Sequence, residues 1–130
     1  VCSSDLMKAE YTKAVQLIVD LYGCRKEIID DEAAVKNIIR QICARIGADI
    51  VEECCHKFQP VGISAVAVIT TSHISIHTWP EYGYAAADIF SCQEKLPEEI
   101  GELLAEALGA EQIKKRLIER ALCREEEVHG

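Results

Sequence analysis

The chain has 130 residues, the usual size of a single domain. Its 14 basic and 22 acidic residues give a formal net charge of −8, which argues against nucleic acid as a partner because that binding depends on Lys and Arg contacts to phosphates. Hydrophobic residues make up 49%, too many for a disordered chain, and no apolar run reaches the roughly 20 residues that a membrane-spanning helix needs.

The first six residues are interpreted separately from the rest. Val1-Cys2-Ser3-Ser4-Asp5-Leu6 is the translation of GTG-TGC-TCT-TCC-GAT-CT, a string that resembles the end of a common sequencing adaptor. We therefore interpret residues 1–6 as a read artefact, Met7 as the start, and residues 7–130 as one domain.

The N-terminal half predicts a strand followed by a helix. Apolar alternation over residues 15–22 is typical of a strand, which Gly23 ends. Asp30 has the character of a helix N-cap, and Gly47 stands where a helix C-terminal glycine is expected. The apolar residues at helical spacing between them are Val35, Ile38, Ile39, Ile42 and Ile46.

The central part predicts a series of short strands. The first, residues 50–58, is the least regular because Glu52 and Glu53 interrupt its pattern. The others cover residues 63–70, 74–79 and 84–90. Residues 63–70 form a mostly apolar run rich in β-branched residues. The turn Pro60-Val61-Gly62 precedes this run, and Pro80 with the turn Glu81-Tyr82-Gly83 separates the last two strands.

The C-terminal part predicts a second helix. It opens at Leu96 with Pro97 in its first turn, and Gly109 ends it. Residues 112–122 fit a helix or a strand equally well. Strands combined with two well-spaced helices predict an α+β fold, a two-layer sandwich with the helices packed on one face of an antiparallel sheet.

The cysteine pattern favours a reducing compartment. The chain has seven cysteines, an odd number, and no C-x-x-C pair, so a secreted disulfide scaffold is not expected. We predict a cytoplasmic protein in which most thiols are small buried hydrophobes. The cysteines are Cys2, Cys24, Cys43, Cys54, Cys55, Cys92 and Cys123.

Chemistry-bearing side chains concentrate in residues 70–84, directly after the best strand. If residues 70–79 were one unbroken strand, Ser72 and His77 would face opposite sides about 16 Å apart, at roughly 3.3 Å per residue. They could cooperate only if the chain bends near His73. His73 and His77 would lie about 13 Å apart along such a strand, so we predict no metal site. A Ser-His hydrolase is disfavoured because no G-x-S-x-G motif is present.

The segment Ser72–Tyr84 resembles the signature of the prokaryotic S-adenosylmethionine decarboxylase proenzymes. That signature reads Glu-Ser-His-(Ile/Leu)-(Ser/Thr)-Ile-His-Thr-Trp-Pro-Glu, and all of it after the first residue is present here. The similarity extends from about Tyr11 to Leu108 through further separated motifs. These are His56-Lys57-Phe58, Gly62-Ile63-Ser64 and Asp88-Ile89-Phe90-Ser91-Cys92.

The resemblance implies that the chain cleaves itself. In the family, the serine matching Ser72 attacks the preceding carbonyl, here that of Thr71, and the histidine matching His77 removes the serine α-proton. The serine matching Ser64 supports this step by hydrogen bonding. The expected products are a β chain of residues 7–71 and an α chain of residues 72–130. The α chain would begin with a covalent pyruvoyl group derived from Ser72, and neither PLP nor a metal is expected.

The resemblance also implies a substrate and an assembly. The pyruvoyl carbonyl forms a Schiff base with the amine of S-adenosylmethionine, and the cysteine matching Cys92 returns a proton to the product carbon. Phe58 matches the aromatic residue that stacks on adenine, and Glu81 matches the carboxylate that accepts both ribose hydroxyls. The product serves spermidine synthesis, and the expected assembly is a homodimer with sites completed across the subunit contact.

Two departures from the family pattern keep alternatives open. Thr71 replaces the usual glutamate, and Ala14-Val15-Gln16 replaces a usual Gly-Arg-His. A pyruvoyl-dependent arginine or ornithine decarboxylase is one alternative, although Phe58 and Glu81 favour a nucleoside. A non-processing regulatory paralogue is another.

Two aromatic residues of the motif are predicted to be structural. His73 is expected to be structural, with contact to the substrate as the alternative, and Trp79 is expected to pack in the core beside the site.

Overall fold

The computed structural model describes residues 13–93 and 96–121. Its sheet has six antiparallel strands in the order β2-β3-β4-β5-β1-β6. The strands are β1 (Lys13–Tyr22), β2 (Ile50–Lys57), β3 (Ile63–Ile69), β4 (Ser72–Trp79), β5 (Tyr84–Ser91) and β6 (Gln112–Ala121).

Helices cover one face of this sheet, as predicted. They are α1 (Lys26–Ile29), α2 (Glu32–Ile46) and α3 (Ile100–Leu108), and a 3₁₀ turn (Pro80–Tyr82) follows β4. The two-layer α+β prediction is therefore confirmed. The predictions for residues 1–6 and for the end of the chain after residue 121 lie outside the described residues.

The cap of α2 corrects the sequence-based prediction by one residue. The N-cap is Asp31, whose Oδ1 accepts hydrogen bonds from the backbone N–H groups of Ala33 and Ala34 at 3.0 and 3.3 Å. Asp30 follows the short helix α1, which the sequence pattern did not indicate, so its carboxylate is available for other contacts. The predicted C-terminal glycine is confirmed, because Gly47 has φ +71°.

Other features of the strands and helices correct or complete the predictions. The pairing of β2 with β3 shifts register between Ile50 and Glu52 and is regular from Glu52 to Lys57, so the irregularity of β2 lies at its start. Helix α3 begins at Ile100 rather than at Leu96. The ambiguous segment after Gly109 is strand β6, which pairs with β1 along its whole length.

The two faces of the sheet differ in character. One face packs against the helices and contains the core, to which every central strand contributes. Fully buried examples are Leu21, Ile39, Ile42, Ile63, Ile74, Ile76, Ile89 and Leu104. The alternate residues of the same strands form the opposite face, which no helix of the described ranges covers. We call it the open face, and its members include His73, Ser75, His77, Asp88 and Gln16.

Candidate active site

The bond predicted to break lies at the end of a tight hairpin. Ile69 pairs with Ser72, so Thr70 and Thr71 form a two-residue connection between β3 and β4. Such connections favour residues that accept positive φ, and threonine is a poor choice for that. Here the positive φ falls on Ser72, at +146°. Ser72 is the one non-glycine residue of the described chain with positive φ, and this conformation stores local strain.

The carbonyl on the other side of that bond is held by a hydrogen bond. The Cys92 backbone N–H donates to the Thr71 carbonyl oxygen at 2.8 Å. A donor placed there polarises the carbonyl and stabilises negative charge on its oxygen when a nucleophile adds. The Thr71 hydroxyl is buried and finds no hydrogen-bond partner among the described residues. The side chain at the family's glutamate position therefore adds nothing to this contact.

The Cys92 side chain lies at the same end of β4. Cys92 is 7% exposed, and its sulfur is disulfide-bonded in the structure. The other described cysteines, Cys24, Cys43, Cys54 and Cys55, are free. A disulfide sulfur carries no proton, so the proton-donor role predicted for Cys92 requires its reduced form.

The other end of β4 holds the predicted processing base. His77 pairs with Ser64 of β3, and the Ser64 hydroxyl lies 2.8 Å from His77 Nδ1 in a hydrogen bond. The contact fixes the orientation of the imidazole ring and leaves Nε2 for another partner. The structure therefore places Ser64 and His77 in direct contact, while the processing roles predicted for them stay predictions.

A cavity of about 410 Å³ adjoins this pair. Phe58 and Glu81 line it together with Ser64 and His77. Phe58 is 45% exposed, so a face of its ring is open to a ligand, and the His56 ring contacts it edge-on at 4.5 Å between centroids. The core position predicted for Trp79 is wrong. Trp79 is 41% exposed and lines the same cavity, because β4 ends there and the helices do not cover it.

The predicted site residues thus fall into two groups. Strand β4 runs unbroken from Ser72 to Trp79, so the bend near His73 that would bring Ser72 to His77 is absent. Five residues along an extended strand correspond to about 16 Å, with the two side chains on opposite faces. Within one chain, Ser72, Thr71 and Cys92 lie at one end of β4, and Ser64, His77, Phe58 and Glu81 lie at the other.

A hydrogen-bonded cluster on the open face separates these two ends. Asp88 accepts hydrogen bonds from His73 Nε2 at 3.0 Å, from Gln16 Nε2 at 2.8 Å and from the Ser75 hydroxyl. Burial alone would raise the pKa of Asp88, but the hydrogen bonds from Ser75, Gln16 and His73 lower it below its ordinary value. Arg120 of β6 donates to Gln16 Oε1 at 2.9 Å.

Sequence reasoning did not identify Asp88 as the centre of this cluster. The signal that could have found it is register, because Asp88 is the β5 residue paired with Ser75. Gln16 stands at the position where the family usually has histidine. Its side-chain amide donates a hydrogen bond to the Asp88 carboxylate.

Other candidate sites in the described part of the chain do not point to further chemistry. Cys24 and Cys43 are buried, and burial raises the pKa of Cys24 to about 11, so it is an inert core thiol. No group of three or more His, Cys, Asp or Glu side chains among residues 13–93 and 96–121 is arranged to hold a metal ion. No helix in those ranges has the length and hydropathy needed to cross a bilayer.

Comparison with known proteins gives a consistent result. The sequence profile of the family described as S-adenosylmethionine decarboxylase matches residues 15–121. A protein named S-adenosylmethionine decarboxylase proenzyme from Moorella thermoacetica is 42% identical over 107 residues, which are 82% of this chain and 86% of that protein. The proenzyme of the same name from Caldicellulosiruptor saccharolyticus is 39% identical over 107 residues, with the same two coverages of 82% and 86%.

A solved structure supports the same comparison at the level of the fold. The adenosylmethionine decarboxylase from Aquifex aeolicus superposes with a TM-score of 0.75 at 27% sequence identity. The superposition covers 88% of this chain and 95% of that one.

Proposed function

The chain belongs to the S-adenosylmethionine decarboxylase family, and from that membership we propose that it is a self-processing, pyruvoyl-dependent decarboxylase of S-adenosylmethionine. The observation that carries the proposal is local. The Thr71 carbonyl is held by the Cys92 N–H at 2.8 Å, directly before a serine with φ +146°. A polarised carbonyl next to a strained nucleophilic residue suits an intramolecular acyl shift.

Processing converts Ser72 into the prosthetic group. The Ser72 hydroxyl attacks the Thr71 carbonyl carbon, the amide C–N bond breaks, and an ester joins the two halves with a free amine on residue 72. A base then removes the Ser72 α-proton, the ester C–O bond breaks, and Thr71 leaves as a carboxylate. Water displaces the nitrogen as ammonia and leaves the pyruvoyl ketone. The products are a β chain ending at Thr71 and an α chain starting at residue 72.

The base for this step comes from a second copy of the chain. His77 lies about 16 Å along β4 from Ser72 of its own chain, too far for proton transfer. Two copies whose open faces stack about a twofold axis, with their β4 strands reversed, would place each His77 end over the other copy's Ser72 end. Apolar side chains on this face support the contact, because Val66 and Val68 are 40% and 49% exposed. The functional unit is therefore a homodimer with two shared sites.

The cavity beside Ser64 and His77 binds the nucleoside part of the substrate. Adenine stacks on the open face of Phe58, and Glu81, whose carboxylate only accepts hydrogen bonds, takes the two ribose hydroxyls. A net charge of −8 suits a sulfonium substrate.

The reaction itself occurs at the Ser72 end of the opposing copy. The pyruvoyl group supplies a carbonyl that condenses with the substrate amine and takes up the electron pair left when CO₂ departs. The Cys92 thiol, once reduced, returns a proton to that carbon. The product carries the aminopropyl group used in spermidine biosynthesis, which is cytoplasmic chemistry.

Mass spectrometry and product analysis test the enzyme. Protein purified with a reductant, which keeps Cys92 as a thiol, should give two fragments separated between Thr71 and Ser72. It should also release CO₂ from S-adenosylmethionine and not from arginine or ornithine incubated in parallel. Release of CO₂ only from arginine or ornithine would mean that this amino acid, and not S-adenosylmethionine, is the substrate. A single intact mass with no carbonyl reactive toward hydrazine would mean that the chain does not process itself, as expected for a regulatory paralogue.

Mixing two inactive variants tests the shared site. Ser72→Ala and His77→Ala should each remain uncleaved when expressed alone. Expressed together, they should form mixed dimers in which the Ser72 end of the His77→Ala chain faces an intact His77, so that this chain alone is cleaved. The control pair is Ser64→Ala with His77→Ala, which damages the same end of both chains and should give almost no cleavage. Equal cleavage in the two pairings would rule out a site built from two copies.

A further inference from the structure

The carboxylate of Asp30 contacts a loop that belongs to the substrate cavity. Asp30 follows helix α1, and the loop of residues 58–62 connects β2 to β3. Asp30 Oδ1 accepts a hydrogen bond from the Gly62 N–H at 2.9 Å and forms an ion pair with Lys57 Nζ at 3.0 Å. The hydrogen bond from Gly62 and the neighbouring Lys57 ammonium lower the pKa of Asp30, so the carboxylate is charged at neutral pH.

The same loop holds Phe58 by its main chain. The Phe58 N–H donates to the Gly62 carbonyl at 2.8 Å, and Lys57 Nζ donates to the Phe58 carbonyl at 3.1 Å. Both main-chain groups of Phe58 are thus tied to the two residues that Asp30 contacts. Gly62 has φ +114°, and an added Cβ would lie 3.4 Å from the Thr78 carbonyl and 3.8 Å from the Phe58 Cβ. The loop therefore packs closely, and its shape depends on these few contacts.

The residue before Asp30 is itself fixed to the sheet. The Thr78 hydroxyl donates to the Ile29 carbonyl at 2.7 Å and accepts from the Ile63 N–H at 2.9 Å. Thr78 is 5% exposed and Ile29 is fully buried. Asp30 is therefore anchored on a rigid part of the helix layer, and it reaches the loop from there.

We propose that Asp30 is a positioning residue for substrate recognition, which fixes the loop of residues 58–62 so that the Phe58 ring stands ready for adenine. This inference rests on the proposed function, because it assumes that the cavity takes the adenosyl group. A ring held in its binding position before the ligand arrives loses less freedom on binding. The role is confined to binding, because the Asp30 carboxylate contacts Gly62 and Lys57 and not the Ser64–His77 pair that is proposed to act in processing. Removing it should weaken ligand binding and leave self-cleavage and kcat unchanged.

Ligand affinity can be measured without turnover. Trp79 is the only tryptophan of the chain and lines the cavity, so its fluorescence should respond to a ligand there. The probe is 5′-methylthioadenosine, which has the adenine and ribose of the substrate but no amino acid amine. Asp30→Ala should raise its Kd and the KM for S-adenosylmethionine about tenfold, as expected for loss of a charge-assisted hydrogen bond.

Two further variants separate positioning from a general loss of folding. Asp30→Asn keeps a carbonyl oxygen for the Gly62 N–H and should recover most of the affinity. Lys57→Met keeps the aliphatic stem but removes the ammonium that joins Asp30 to the Phe58 carbonyl, so it should weaken probe binding. If Asp30→Ala does not fold, these two variants carry the test. Glu27→Gln on helix α1, directly before Asp30, is the matched control, because it removes one charge from an exposed pair with Arg25 and should change neither constant.

The outcomes distinguish this inference from the proposed function. Wild-type protein that binds the probe and decarboxylates S-adenosylmethionine, with unchanged Kd and KM in Asp30→Ala and Lys57→Met, would overturn the positioning role alone. A fall in kcat or in cleavage with unchanged Kd would also overturn it. Wild-type protein that neither binds the probe nor releases CO₂ would overturn the proposed function as well.

Discussion

The two ends of strand β4 differ in backbone geometry and in the side chains that they present. At the Ser72 end, the backbone is strained and a main-chain N–H polarises the carbonyl before the serine. At the other end, the base is oriented by Ser64 and a cavity offers an aromatic face and a carboxylate. Under the proposed function, the first end contains the atoms that react, and the second contains the groups that move a proton and bind a nucleoside.

Under the proposed function, this separation means that neither end is a complete active site by itself. A straight strand holds the two ends about 16 Å apart, and the Asp88 cluster fills the space between them. The proposed twofold pairing of open faces resolves the separation, since it supplies each end with its complement. Changes at the Ser72 end should therefore affect the chemical steps, while changes at the Phe58 end should affect processing through His77 and binding through the cavity.

The largest effect on self-cleavage and decarboxylation is expected for Ser72→Ala. Without the hydroxyl no ester can form, so the chain should stay in one piece and show no decarboxylation. Mass spectrometry of purified protein measures this directly. Ser75→Ala is the matched control, because it removes a hydroxyl from the same strand and should still cleave. A cleaved Ser72→Ala chain would show that another residue is the nucleophile.

His77→Ala should stop processing at the following step. The ester can still form, but no base removes the Ser72 α-proton, so the chain should accumulate as an ester between residues 71 and 72. Hydroxylamine cleaves esters and leaves amides intact under mild conditions, and gel analysis after treatment would reveal the stalled species. Complete pyruvoyl formation in this variant would assign the base elsewhere.

Cys92→Ala should separate the two roles of one residue at the Ser72 end. Its backbone N–H, which holds the Thr71 carbonyl, is unchanged, so self-cleavage should proceed. Its thiol is lost, and turnover should fall about a hundredfold or more, as is typical of removing a general acid. Assays under reducing conditions on cleaved protein measure this, with the exposed Cys54→Ala as control. Normal turnover would exclude Cys92 as the proton donor.

Phe58→Leu should act on binding and spare the chemistry. Leucine keeps an apolar contact but offers no ring face to adenine, so KM should rise about tenfold, the scale of one base-stacking contact. Cleavage and kcat should remain near wild type. Tyr82→Leu is a fitting control, because Tyr82 is 78% exposed and is not among the residues that line the cavity. Equal KM values in the two variants would remove Phe58 from the proposed site.

Local patterns predicted most of the fold. Apolar alternation and helical spacing located β1, β3, β5 and α2, because each element buries a single face against one core. Residues 112–121 stayed ambiguous because β6 is an edge strand, and few of its side chains are buried enough to impose a period. The predicted N-cap of α2 was one residue too early, because Asp30 and Asp31 are equally suitable caps by residue type. In the structure Asp31 caps the helix, while Asp30 accepts a hydrogen bond from Gly62.

Sequence motifs indicate residues for the proposed site but not how those residues are arranged. The motifs identified Ser64, Ser72, His77 and Cys92, but a linear motif does not reveal that β4 stays straight and separates them. That outcome depends on continuous pairing of β4 with both β3 and β5. The roles of Asp30 and Asp88 depend on neighbours distant in sequence, so no local pattern could have indicated them.

The smallest effect on function is expected for substitution of Asp88, which lies between the two ends of β4 and is expected to affect stability. Its lowered pKa means that the charged form is favoured in the folded chain, so its contribution to stability is full above the ordinary value of 3.8 and is lost as pH falls through the lowered pKa. Asp88→Asn should reduce the free energy of unfolding by about 1–3 kcal/mol at neutral pH and flatten its decline below about pH 4. Urea unfolding of uncleaved chains in the Ser72→Ala background measures both, with the exposed Glu102→Gln as control. An unchanged acid profile would mean that the hydrogen bonds to the charged Asp88 do not stabilise the folded chain.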